Sequence, residues 1–78
     1  MPTVLNYEGF RFYFYSHDTT EPPHIHVDKE NHSAKFWLQP VCLERNLGYS
    51  PKELRRMQAI ILENEELLLE KWYGYFSK

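Results

Sequence analysis

The sequence contains few of the features that would tie it to membranes or to an oxidising compartment. One of its 78 residues is a cysteine, Cys42, which excludes an internal disulfide and favours the reducing cytoplasm. The longest purely apolar run, residues 59–62, is too short to cross a bilayer. Residues 1–6 have neither the basic region nor the apolar run of a signal peptide. We therefore expect a cytoplasmic protein that does not insert into a membrane.

An excess of charge of one sign is also missing. Nine basic and 11 acidic residues leave a net charge of −2, so no general electrostatic attraction to nucleic acid or membrane is expected. Aromatic residues are plentiful, with six tyrosines, five phenylalanines and two tryptophans. Together with 42% apolar residues, they indicate a folded domain and not a disordered chain. The length fits one small core, and we treat residues 1–78 as a single domain.

Apolar periodicity predicts strands in the first three-fifths of the chain and a helix in the rest. Residues 10–15, 24–28 and 33–38 have strand character, flanked by shorter candidates at 3–6 and 41–44. Ser50-Pro51-Lys52-Glu53 is a helix start with a capping box. An apolar stripe follows and is interrupted at Asn64, which we expect to bond to the sheet or its loops.

These elements predict an α+β domain: a three- to four-stranded antiparallel sheet with one long C-terminal helix packed on one face. Every second side chain of a strand would point to that face and pack against the helix. The predicted strand contribution to the core is Phe10, Phe12, Phe14, Ile25, Val27, Ala34, Phe36 and Leu38.

Residues 22–28 read Pro-Pro-His-Ile-His-Val-Asp, the most informative stretch of the chain. Residues two apart on a strand share a face, so His24 and His26 should point together. A regular hairpin at residues 29–32 would set His26 opposite Lys35 and His24 opposite Trp37. We predict that the sheet face away from the helix displays Arg11, Tyr13, Tyr15, His24, His26, Lys35 and Trp37.

One interpretation of this open face is a metal site. His24 and His26 would supply two ligands, and a third would come from His17, Asp18 or Glu21 in the preceding loop. Zinc would be the default divalent ion, with His24, His26 and His17 as the candidate set. Two histidines alone are a weak signal, because zinc sites in proteins usually have three or four protein ligands.

A second interpretation is acid–base catalysis without metal. One histidine would take the proton of an RNA 2′-hydroxyl and the other would protonate the leaving oxygen. Arg11 or Lys35 would stabilise the phosphorane. The candidate catalytic residues are His24, His26, Glu21 and Arg11.

A third interpretation is binding without chemistry. Aromatic and cationic side chains on an exposed sheet can stack bases and hold phosphates, and they are also enriched in protein–protein hot spots. The near-neutral charge favours the protein interface. The predicted binding face is Tyr13, Tyr15, Lys35 and Trp37. The plainest alternative is that such residues are ordinary occupants of half-exposed strands.

The stretch Glu21-Pro22-Pro23-His24-Ile25-His26-Val27, with the strand at 34–38 and Trp72 in the helix, resembles a family of small bacterial proteins of unknown function. The resemblance covers nearly the whole chain. Genes of such proteins often lie beside a second small domain, in pairs labelled toxin–antitoxin components. The resemblance therefore implies a protein partner and a role in RNA or transcription control. Carried over, Glu21, His24 and His26 are signature positions without an assigned role.

We therefore expect a component of a toxin–antitoxin-like pair that binds a small protein partner or a second copy of itself. RNA is a possible partner and a membrane is not. Binding would use the open face or the helix, whose start is basic and whose later part is acidic. The alternative is a histidine-based ribonuclease or metal-dependent enzyme at the His24/His26 face.

Overall fold

Strands occupy the first part of the chain and helices the last, as the sequence predicts. The computed structural model describes residues 3–15 and 20–76. The elements are β1 (Thr3–Tyr7), β2 (Phe10–Tyr13), β3 (His24–Lys29), β4 (His32–Leu38), β5 (Val41–Leu47), α1 (Pro51–Glu63) and α2 (Glu65–Phe76).

The strands form one antiparallel sheet in which each strand pairs with its neighbour in the sequence, in the order β1-β2-β3-β4-β5. The β3–β4 hairpin turns between Lys29 and His32, with Glu30 in the left-handed region at φ 56°. Its register sets His26 opposite Lys35 and His24 opposite Trp37. Both predicted cross-strand pairs are therefore confirmed.

The sheet has five strands where three or four were predicted, because β5 is a full partner of β4. It runs for seven residues, and its register shifts by one residue between Lys35 and Phe36 of β4, which leaves Glu44 as the extra residue of a bulge. Residues 42–47 of β5 are exposed, and half of them are polar. An edge strand that buries so little lacks the apolar alternation by which strands are recognised in sequence.

The predicted single long helix is two helices that meet at Asn64. The capping box at the start of α1 is present: Ser50 Oγ accepts from Glu53 N–H at 3.2 Å, and the Glu53 carboxylate accepts from Ser50 N–H at 3.2 Å. At the break, Asn64 Nδ2 donates to the Ile60 carbonyl at 2.8 Å, and the backbone of Asn64 leaves helical geometry at φ −114°, ψ 17°. Asparagine side chains compete in this way with helical backbone bonds. Asn64 thus bonds within its own helix and not to the sheet.

The two helices cover one face of the sheet and enclose the core. All the strand residues predicted for the core are buried. They pack with Tyr49 and with side chains from both helices, namely Met57, Ile60, Ile61, Leu68 and Trp72. Tyr75, which lies at helical spacing from Leu68 and Trp72 and would continue the same apolar stripe, is exposed.

Tyr49 fixes the connection between β5 and α1. Its hydroxyl donates to the His32 carbonyl at 2.9 Å, and burial raises its pKa to about 12. Asn46 bonds to both the N–H and the carbonyl of Tyr49, each at 3.0 Å. Gly48, at φ 107°, lies so close to the His32 ring that a Cβ there would be 2.2 Å from His32 Cδ2. The turn therefore holds β5 against the rest of the sheet.

Trp72 should be among the most costly residues to truncate. Its ring contacts Phe14, His24 and Phe76, with centroids 5.3, 4.9 and 4.4 Å away. We expect Trp72→Ala to lower the free energy of unfolding by about 3–5 kcal/mol, measured by urea denaturation. Tyr73→Ala, at the neighbouring position that is 51% exposed, should cost less than about 1 kcal/mol. Equal losses for the two variants would contradict the packing described.

Candidate functional site

Four side chains form a row across the open face, one from each of the strands β2 to β5. Tyr13 lies opposite His26, His26 opposite Lys35, and Lys35 opposite Arg45. Directly opposed residues on a sheet have Cβ atoms roughly 4.5–5.5 Å apart. The row therefore brings an aromatic ring, an imidazole, an ammonium and a guanidinium into one continuous strip.

At the β2 end of this row the rings of two tyrosines and one histidine contact one another. Tyr13 stacks on His26 with centroids 5.4 Å apart and an interplanar angle of 24°. Tyr15 meets both rings edge-on, at 5.5 Å from Tyr13 and 4.9 Å from His26. The Arg11 guanidinium lies 4.5 Å from the Tyr13 ring centroid. Tyr13 is buried as a result, while His26 and Tyr15 stay half-buried.

The Tyr13 hydroxyl donates to Asp28 Oδ2 at 3.0 Å. Burial, together with hydrogen bonds to Tyr15 and Asp28, raises the pKa of Tyr13 far above its ordinary value. The phenol therefore remains a neutral donor, and the Asp28 carboxylate has a donor that stays bound to it.

Lys35 is an ammonium group held below the surface. The residue is only 8% exposed, and its Nζ donates to Glu21 Oε1 at 2.6 Å. The same Nζ lies 4.8 Å from the Trp37 ring centroid. The Glu21 side chain, by contrast, is 45% exposed. A buried charge without a counter-charge is strongly destabilising, so this carboxylate compensates a cost that the fold would otherwise carry.

His24 is fully buried, so the expectation that the open face displays it is wrong. It does lie on that side of the sheet, but Trp72 of α2 closes over the end of the strand and contacts its ring. His24 Nδ1 donates to the Pro22 carbonyl at 2.9 Å and lies 3.7 Å from Glu21 Oε1. The ring also contacts His26, with centroids 5.1 Å apart. The two histidines are adjacent as predicted, but only His26 borders the surface.

A pocket of about 120 Å³ opens on the sheet face between the tyrosines and β5. Among the residues that the structure describes, the cationic and imidazole groups at its wall are His26, Lys35 and Arg45, and none of the lining residues is acidic. Glu21 is engaged by Lys35, and Asp28 by Tyr13. The complete lining is Tyr13, Tyr15, His26, Ser33, Ala34, Lys35, Arg45 and Leu47. The wall thus offers hydrogen-bond donors and cationic groups to a ligand.

The structure brings together most of the residues that the sequence predicted for the open face. Tyr13, Tyr15, His26 and Lys35 line the pocket, and Arg11 and Trp37 lie against Tyr13 and Lys35. His17 and Asp18 are outside the described residues. Within residues 3–15 and 20–76, no three histidine, cysteine, aspartate or glutamate side chains are grouped to hold a metal. The metal set with His17 therefore remains a prediction.

Sequence reasoning missed Ser33, Arg45 and Leu47 as parts of the site. Ser33 could have been found, because it alternates with Lys35 and Trp37 along β4. Arg45 and Leu47 lie on β5, whose extent was underestimated, and only the observed register brings them beside the pocket. No helix among the described residues is long and apolar enough to span a membrane.

The chain matches the family model "Domain of unknown function (DUF4160)" over residues 9–73. The chain belongs to the DUF4160 family. The matched region contains the whole pocket lining and all of α1. Searches of curated proteins and of solved structures gave no significant match. The chemistry of this DUF4160 domain therefore has to be argued from the geometry of its open face.

The Tyr13–Asp28 bond of this DUF4160 domain predicts a specific response to alkaline pH. Above about pH 10 an unfolded chain loses the Tyr13 proton, whereas the folded domain keeps it, so stability falls as pH rises. Tyr13→Phe should cost about 1–2 kcal/mol near neutral pH, through the lost bond to Asp28. We expect that deficit to shrink between about pH 9 and about pH 11 in urea denaturation. A constant deficit across this range would contradict the raised pKa.

Proposed function

We propose that the domain is a protein-binding component of a toxin–antitoxin-like pair, and that it binds its partner through the open sheet face at β4 and β5. The observation that carries the proposal is the pocket lined by tyrosines, His26, Lys35 and Arg45, set beside an exposed edge strand. The paired-gene setting comes from the resemblance to small bacterial proteins that are encoded beside a second small domain.

The surface around the pocket has the composition of a protein interface. Arg45 and Leu47 belong to β5, which ends the sheet and along which residues 42–47 are exposed. Leu47, on the pocket wall, is 56% exposed. Tyrosine and arginine are among the side chains from which interface hot spots are built. An edge strand also offers backbone groups to a partner.

A protein partner fits this face better than RNA does. Base stacking requires uncovered ring faces, but Tyr13 lies between His26 and Arg11, and Lys35 covers Trp37. The net charge of −2 adds no attraction for a polyanion. The open face therefore favours a defined protein surface over a nucleic-acid strand.

The helices offer a less suitable surface. Arg56 belongs to the basic start of α1, but its Nε and Nη2 both bond to the Glu8 carboxylate. This pairing raises the pKa of Arg56 and lowers that of Glu8. Because Arg56 is already bonded to a carboxylate, whereas Arg45 has only a 4.0 Å contact with Glu44, we place the proposed partner on the sheet face and not on α1.

The runner-up is a histidine-based ribonuclease. The observation in its favour is that His26 shares the pocket with Tyr15, Lys35 and Arg45. Two-histidine catalysis is less favoured, because His24 is fully buried and its Nδ1 is bonded to the Pro22 carbonyl. This alternative would use His26 alone as the imidazole, with Lys35 or Arg45 near the phosphate.

The decisive experiment is co-expression with the small protein encoded by the adjacent gene, followed by measurement of Kd on the purified pair. We expect a stable complex that Arg45→Glu weakens at least about tenfold, which corresponds to about 1.4 kcal/mol. Arg55→Glu makes the same charge change at an exposed position of α1 and should leave Kd within about twofold.

Three results would contradict the proposal. The first is the absence of a complex combined with a homodimer that Arg45→Glu dissociates, which would make a second copy the partner. The second is RNA cleavage by the purified domain that His26→Ala abolishes, which would favour the ribonuclease. The third is equal weakening by Arg45→Glu and Arg55→Glu, which would remove the open face from the interface.

A further inference from the structure

We infer that the open-face pocket receives one carboxylate side chain of the partner protein, and that this carboxylate replaces Glu21 on Lys35. The inference rests on the proposed function, because it names the chemical group that the partner contributes. In the free domain Glu21 would pair with Lys35, and on binding the carboxylate of the partner would take its place.

The Lys35–Glu21 pair is the first observation that supports exchange. Lys35 is nine-tenths buried and is ion-paired at 2.6 Å, whereas Glu21 is 45% exposed and precedes β3. Lys35 has to keep a carboxylate, because a buried ammonium without one is costly. Glu21 is not under that constraint to the same degree, because its carboxylate is already partly hydrated. If another carboxylate replaces Glu21, Lys35 keeps an ion pair and only the exposed Glu21 side chain is released.

Arg45 supplies the second cation. It lies directly opposite Lys35 on the neighbouring strand and contributes to the same pocket wall. Its Nε is 4.0 Å from Glu44 Oε2, a long contact between exposed side chains that contributes little. A guanidinium fork binds a carboxylate through two parallel hydrogen bonds. An incoming carboxylate could thus bridge Arg45 and Lys35, with the Ser33 hydroxyl and the His26 ring close by.

The size and charge of the pocket favour a side-chain carboxylate. Its volume of about 120 Å³ is well below the roughly 300–1,000 Å³ of pockets that hold whole small molecules. One carboxylate matches the charge that Lys35 already accepts from Glu21. A phosphate would bring more negative charge than the single carboxylate that Lys35 holds in this structure. The partner is therefore expected to present an acidic residue, aspartate or glutamate, at the centre of its binding surface.

Chemical rescue tests the inference on the isolated domain. Glu21→Ala removes the carboxylate that Lys35 holds, and we expect a lower Tm than that of the wild type. Sodium acetate should raise the Tm of Glu21→Ala more than sodium chloride at the same ionic strength, and more than acetate raises the Tm of the wild type. Glu8→Ala, which removes an exposed carboxylate from Arg56, should show no such specific response.

A variant of Arg45 shows whether acetate binds in the pocket or only fills the position that the Glu21 carboxylate has left. Adding Arg45→Gln to Glu21→Ala should remove most of the acetate rescue, since the anion would lose one of its two cations. Rescue that is unchanged without Arg45 would overturn the inference. So would stronger rescue by sodium phosphate at equal ionic strength, which would identify a phosphate site. If Glu21→Ala does not fold, Glu21→Gln keeps the side-chain shape and permits the same comparison.

The purified pair separates this inference from the proposed function. We expect Glu21→Gln to bind the adjacent-gene product at least as tightly as the wild type does, because the internal competitor is gone. A complex that forms and depends on Arg45, but that Glu21→Gln weakens, would overturn the exchange and keep the protein-binding role. Failure of the wild type to form any complex would overturn the protein-binding role itself.

Discussion

The packing of Trp72 determines how the two faces of this sheet differ. Its ring contacts Phe14 on the face that the helices cover and His24 on the opposite face, so α2 closes around the end of β2 and β3. That end of the open face becomes part of the core, and solvent no longer reaches His24. The remaining surface is the strip from Tyr13 to Arg45, and the pocket lies there because the helix leaves it uncovered.

Much of this arrangement was predictable from local pattern. Alternation along residues 10–14 and 33–38 predicted which side chains enter the core, and the tight turn at 29–32 predicted the register that places His26 beside Lys35. The capping box at Ser50 marked where α1 begins. Each of these features depends on residues close together in the chain, and such signals are visible in a single sequence.

The parts that could not be predicted depend on contacts between distant segments. The burial of His24 requires α2 to reach over the end of β3, and no residue close to His24 in the sequence predicts that contact. The role of Arg45 requires the bulge at Glu44, which returns its side chain to the open face. The helix break at Asn64 was visible as an interruption of the apolar stripe, but an asparagine that bonds to its own helix and one that bonds to a neighbour look alike in sequence.

The sequential strand order affects how such a domain reaches its native state. Every hydrogen-bonded strand pair joins segments that follow one another in the chain, so each hairpin closes a short loop at a modest entropy cost. An α+β domain with such local topology is expected to fold faster than one whose strands pair across the whole chain. The covering helices, residues 51–76, follow all five strands in the chain and are synthesised after them. During translation the apolar side of the sheet, with Phe12 and Phe36 at its centre, therefore stays exposed until those residues leave the ribosome, and this is the stage at which the nascent chain is most prone to aggregate.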